Sequence, residues 1–196
     1  MNISVRTLFP ALYSDNYKVM IFVDGENLAI QTGRMLTSGR KKQVGVTIIP
    51  DIAVWTPDLA GPMRRLDILR LHYYTAMSGS HEDIKSTVDT LKAWGIAAPR
   101  VFKKAKDAKS KCVDVALTVD MLHHGQKGHY DIGVLVAGDK DYVPLVKAVQ
   151  SEGRLVCVWF VSRGLSRELR IAADHFGRLD DGLFEPLAAQ AEVPPP

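Results

Sequence analysis

The sequence predicts an α/β fold: a doubly wound, mostly parallel sheet of about five strands flanked by helices. Three observations carry that reading. Short apolar runs end abruptly at Asp or Gly, segments of helical length separate them, and the runs are continuous rather than alternating, as in strands buried on both faces. Strand and helix in alternation stack as right-handed βαβ units with helices on both sides of the sheet. The 196 residues have room for one good-sized domain with a modest insertion.

Residues 19–23 (VMIFV) form the first expected strand, followed by 69–74 (LRLHYY), 100–102, 132–137 (IGVLVA) and 155–161 (LVCVWFV). Helices are expected over 26–35, 81–94, 112–124, 142–151 and 165–175. Residues 33–67 break the rhythm with three prolines, a basic cluster at 39–42 and a candidate hairpin segment at 44–49. That stretch is too long for an ordinary connection, so an insertion at about 36–66 with structure of its own is expected. The domain then spans 17–184, between an N-terminal arm over 1–16 and a flexible tail over 185–196 that ends in three prolines.

With 46% hydrophobic and 24% charged residues, the composition excludes disordered, collagen-like and coiled-coil classes. A formal charge of +3 permits a nucleic-acid partner without requiring one. Cys112 and Cys157 lie far apart and lack zinc-site spacing, so neither a disulfide framework nor a Cys-based metal site is indicated. No apolar stretch reaches the roughly 18 residues of a membrane span. A soluble, cytoplasmic protein without a membrane partner is expected.

The chemistry lies in acids placed just after strands. In doubly wound sheets the functional crevice opens beyond the carboxyl ends of the strands. Asp24 ends the first run, and Asp139 follows the fourth after Gly138, with Asp141 two residues on. One such Asp alone is most simply a turn or N-cap residue. The helix around 113–122 (VDVALTVDML) shifts the balance, because it is apolar nearly all round yet carries Asp114 and Asp120. Those two point roughly 120° apart on the helix, so they do not serve one ion together. Asp114, in the first turn, faces the crevice, and Asp120 falls to a supporting hydrogen bond, with a Lys or Arg as candidate partner. If Asp24, Asp114 and Asp139 converge, each ionised pair at about 4 Å repels by roughly 4 kcal/mol at an effective dielectric near 20. A divalent cation neutralises them, and all-oxygen ligation selects Mg²⁺ or Mn²⁺ over Zn²⁺. The alternative is a raised carboxylate pKa or a neighbouring Lys, for which Lys140 is a weak candidate because side chains adjacent in sequence diverge.

The segments IFVDGENL, KCVDVALTVDML and VLVAGDKDYVPLV, in that order, resemble the NYN domains of the PIN-like nuclease superfamily, in particular the LabA-like branch. A later RELRIAADHFGRL segment is similar to that family's final helix. The resemblance implies a metal-dependent ribonuclease site, with Asp24, Asp114, Asp139 and Asp141 at the family's acidic positions. Asn27 matches the Asn after the first Asp, and Asp120 a recurrent helix Asp. Ala137 and Lys140 depart from the small hydroxyl residues frequent there, and neither departure removes a ligand. In the implied mechanism a metal-bound water attacks the phosphodiester. Asp24 and Asp139 ligate directly, Asp114 and Asp141 complete or orient the shell, and Asn27 holds the substrate or a metal-bound water.

A substrate track is expected over 100–111, where Arg100, Lys103, Lys104, Lys106, Lys109 and Lys111 face a single Asp and lead into Asp114. Such contacts read the backbone of single-stranded RNA and weaken with salt. The other reading is a solvated loop. Tyr73 and Trp159 read as core residues, Tyr142 as packing the start of its helix, and His123 and His124 as C-terminal capping or surface residues. The insertion offers a surface for a homodimer. Two competing functions remain open: a non-catalytic RNA-binding regulatory module, and a haloacid dehalogenase-type phosphatase with Asp24 as nucleophile.

Overall fold

β1 (Lys18–Asp24) sits in the middle of the sheet and is buried from its second residue onward. Its side chains alternate between two cores, with Val19, Ile21 and Val23 on one face and Met20 and Phe22 on the other. A computed structural model describes residues 17–56, 59, 67–104 and 111–186. The N-terminal arm, part of the insertion, Lys106, Lys109 and the tail from residue 187 lie outside them.

After β1 come α1 (Gly25–Thr37), β2 (Thr47–Ile49), β3 (Ala53–Trp55), β4 (Asp67–Met77), α2 (His81–Ala93), β5 (Ala98–Lys103) and α3 (Lys111–Gln126). They are followed by β6 (Ile132–Val136), a 3₁₀ turn (Lys140–Tyr142), α4 (Val143–Ser151), β7 (Leu155–Phe160), α5 (Arg167–Ala172), β8 (His175–Arg178) and α6 (Asp180–Leu183). The main sheet has the order β5-β4-β1-β6-β7-β8, with every pair parallel. From β1 the chain leaves toward β4, and from β6 it leaves toward β7. The adjacent strands β1 and β6 therefore form the switch point, where such sheets open a crevice. Residues of α1 and α2 pack with the first core, and residues of α3, α4 and α5 with the second.

The sheet has six strands where about five are expected, and the sixth lies partly in a segment read as helix. α5 stops at Ala172 because Asp174 exchanges backbone and side-chain hydrogen bonds with Val156, which draws the chain into the sheet. Gly177 then passes under the Trp159 ring, where a Cβ would lie 2.7 Å from Cδ1. Within the insertion, β2 and β3 pair as an antiparallel hairpin. Tyr73 clamps that hairpin to the sheet: its hydroxyl donates to Val54 O and accepts from Val54 N, at 2.9 Å each.

α3 is apolar all round, as its sequence suggests, yet only part of it is buried. Val113, Leu117 and Met121 enter the core, whereas Val115 and Val119 are exposed. His123 and His124 lie in its last turn, and the His124 ring lies tilted against those of His72 and His129. Cys157 is buried, Cys112 is exposed, and both are free. Among the described residues no helix is long and apolar enough to cross a membrane.

Candidate active site

Asp24 is the last residue of β1 and the N-cap of α1, and its Oδ1 accepts a hydrogen bond from Asn27 N at 3.0 Å. The Asn27 side chain reaches the other way, and its Oδ1 accepts from Gly138 N at 3.1 Å. That bond joins the start of α1 to the end of β6. Asp24 is only 4% exposed, whereas Asp139 and Asp141 are open to solvent. Asp139 caps the 3₁₀ turn through Oδ1, which accepts from Asp141 N at 3.1 Å. Asp114 enters from the first turn of α3.

The hydroxyl of Tyr142 joins buried Asp24 to exposed Asp114, at 2.9 Å from Asp24 Oδ2 and 3.0 Å from Asp114 Oδ1. A phenol has one proton to donate, so both contacts are hydrogen bonds only when one carboxyl carries a proton and donates it to Tyr142. The electrostatics agree. Burial first, and then the charges of Asp114 and Glu26, push the Asp24 carboxyl up to about 7 against the pull of Asn27 N and Tyr142. Asp114 is raised too, chiefly by desolvation and then by Asp139, Glu26 and Asp141. Burial and the two acids hold the Tyr142 phenol protonated throughout the physiological range. The acidic positions form one interacting cluster, with Glu26 as a further member that is itself paired to Lys104 at 2.6 Å.

Tyr142→Phe strips a shared hydroxyl from one buried and one exposed carboxyl, Asp24 and Asp114. Stability is expected to fall by about 1–3 kcal/mol, which at about 2–4 °C per kcal/mol is readable in a thermal melt at pH 8. An unchanged melting temperature would mean that the bridge carries no weight.

Asp120 lies apart from this cluster. Its Oδ2 accepts from the Tyr74 hydroxyl at 2.7 Å and pairs with Arg100, whose guanidinium lies over the Tyr74 and Phe102 rings. Two cations of the expected track are therefore engaged internally, Arg100 with Asp120 and Lys104 with Glu26. Lys103 is exposed at the end of β5, Lys111 opens α3, and Lys106 and Lys109 lie outside the described residues. The sequence reading passed over Tyr142 as a bridge and Glu26 as a member. The available signal for Tyr142 was chemical, since a buried tyrosine hydroxyl needs a partner and the acids expected at the same sheet edge, Asp24 and Asp114 among them, were candidates.

The donor set is all oxygen, and carboxylate oxygens that accept one hydrogen bond keep further lone pairs, so these residues fit a hard divalent cation in kind. Among the described residues no group of three or more His, Cys, Asp or Glu side chains is arranged to hold one. The exposed rotamers of Asp139 and Asp141 are the parts free to adjust.

The fold is α/β with a parallel six-strand sheet flanked by helices, and the family model adds the class, that of the PIN-like nuclease superfamily. Within it, the NYN domain model matches residues 18–180, and the chain belongs to that family. NYN domains are in general nucleases, members of the superfamily typically use divalent metals, and the family places this chain in a nuclease-like, RNA-related class. No curated protein matches the chain. The crystal structure of a protein of unknown function from Vibrio parahaemolyticus RIMD 2210633 is similar, with a TM-score of 0.64 and 21% identity over 88% of this chain and 99% of that one. That likeness shows the fold alone.

Proposed function

We propose that this NYN domain, read as LabA-like from its motifs, is a cytoplasmic, metal-dependent endoribonuclease that cleaves single-stranded RNA. One observation supports this above the others: Asp24 and Asp114, from elements that meet at the switch point, share one tyrosine hydroxyl, with Asp139 and Asp141 exposed beside them. Asp24, Asp114, Asp139 and Asp141 would hold Mg²⁺ or Mn²⁺. When bound, the cation supplies an activated water and polarises the phosphoryl oxygen.

The remaining chemistry belongs to the chain. Asn27 fixes the Gly138 amide and so sets where Asp139 stands. Asp24 Oδ2 holds or releases a proton against the Tyr142 hydroxyl near neutral pH. Lys104 offsets the charge of Glu26 at the rim. Asp120, paired with Arg100, steadies α3 against β4 and β5 rather than meeting substrate.

A non-catalytic RNA-binding module is the second reading, favoured by the lack of a ready three-ligand group among the described residues. The phosphatase reading is weaker, because Asp24 is buried with both oxygens engaged and offers no open line for covalent attack.

Cleavage of an end-labelled single-stranded RNA separates the first two. Products are expected with Mn²⁺ and are expected to disappear with EDTA and in Asp139→Ala. That variant is also expected to lose about 1 kcal/mol of stability, because an exposed Asp139 contributes a cap and suffers little repulsion. Equal background in wild type and variant would favour the binding module.

A further inference from the structure

An open groove of about 940 Å³ runs along the outer face of α1, lined by none of Asp24, Asp114, Asp139 and Asp141. Glu26, Ile30, Gly33, Arg34 and Thr37 recur at helical spacing and so share that face, over about 16 Å of helix axis. The groove has one wall from the β2–β3 turn, where Pro50 and Asp51 stand, and it receives Lys104 and Arg163. Both residues connect the groove to the acidic cluster. Lys104 pairs with Glu26, and the loop that carries Arg163 is tied to Gly138 by a 2.8 Å bond from Ser166 N to Gly138 O.

Three cations line this groove with a single acid, Asp51, among its described lining residues. Lys104 is offset by Glu26, which leaves Arg34 and Arg163 as the excess, although the chain as a whole is nearly balanced. Arg34 and Arg163 are exposed and have no ion-pair partner among the described residues. Gly33 lies on the floor, and a Cβ added there would meet nothing within 4 Å. A glycine inside a helix costs about 1 kcal/mol relative to alanine, and its use here leaves the backbone open to close approach.

We propose that this groove binds the phosphodiester backbone of a single nucleic-acid strand, with Arg34 and Arg163 on its phosphates, and leads that strand to the acidic cluster. The inference rests on the nuclease reading for its direction and not for its binding chemistry. It differs from the track expected over 100–111, since of those cations only Lys104 lines the groove. The contacts are to phosphate, so the site reads charge and shape and carries no base code. Arginine suits the task because its planar fork matches two phosphate oxygens.

The test is fluorescence anisotropy of a labelled single-stranded oligoribonucleotide, and of the same sequence as DNA, in EDTA. The double variant Arg34→Ala/Arg163→Ala is expected to bind both about tenfold more weakly at low salt. The slope of log Kd against log salt should become shallower by about 1.4 for two lost contacts on a single strand. Gly33→Leu should weaken binding while the thermal melt holds. Lys147→Glu, on the exposed face of α4 in the opposite layer, should bind as wild type does. If the wild type binds and the double variant matches it in affinity and slope, the groove is wrong and the nuclease reading survives. Absence of any wild-type binding also overturns the groove. If the double variant weakens binding while the wild type fails to cleave with Mn²⁺, the groove stands and the nuclease reading falls.

Discussion

Asp24→Asn is expected to melt well above the wild type in metal-free buffer at pH 8 and to lose all RNA cleavage. The wild-type carboxyl ordinarily titrates near 3.8 and is pushed up to about 7 in the folded chain, mainly by burial. Between those values the native state binds more protons than the unfolded state, so stability falls as pH rises from about 4 through 7. The full difference is on the order of 4 kcal/mol above pH 7. Asparagine removes the ionisation and keeps the geometry. Its Oδ1 still caps Asn27 N, and its Nδ2 can donate to Tyr142, whose proton is then free for Asp114. The gap between variant and wild type should therefore be near zero at pH 4 and open as pH rises. A gap that ignores pH, or a variant that melts lower at pH 8 in EDTA, would show that Asp24 is not strained in the folded state.

That strain explains why some of the site was legible in the sequence and some was not. Asp24 and Asp139 stood out because they interrupt or follow apolar runs, and strand ends map directly onto the edge of a parallel sheet. Asp114 stood out because an acid among apolar helix residues needs a reason. What the pattern could not supply was depth. Of the four acids, Asp24 alone is buried and Asp114, Asp139 and Asp141 are exposed, so the cost expected evenly among them is concentrated on Asp24, chiefly as desolvation, and reaches Asp114 less. Tyr142 escaped for a related reason, since packing at a helix start describes its ring and leaves its hydroxyl unaccounted for. The start of β8 escaped because nothing in RELRIAADH breaks a helix locally. The stop comes from a tertiary bond, Asp174 to Val156, that only the assembled sheet provides. The two arginines of the α1 groove that lack an ion-pair partner among the described residues are dispersed in sequence, one in α1 and one after β7, whereas the cations that cluster in sequence include two that the fold neutralises.

Gly138→Ala is expected to lower stability by about 1–3 kcal/mol and cleavage by about a hundredfold, although it adds one methyl group and touches no acid. A Cβ at Gly138 would run into the Phe160 ring and lie 2.5 Å from Gly164 O. Phe160 is fully buried and cannot swing away, and Gly164 is held close by the bond from Ser166 N to Gly138 O. The strain must then fall on the backbone of Gly138 itself. Its amide is what Asn27 holds, and the next residue is Asp139, so the shift is delivered straight to the acidic cluster. Gly33→Ala provides the opposite sign. With open space around the new methyl and a better helix former in α1, it should gain about 0.5–1 kcal/mol. Melting temperatures of the two alanine variants, read with their cleavage rates under Mn²⁺, test whether close backbone packing behind Asp139 sets the site. If Gly138→Ala keeps both its stability and its rate, the β6 to β7 edge is softer than the packing of Phe160 and Gly164 implies, and Asp139 does not depend on that packing for its place.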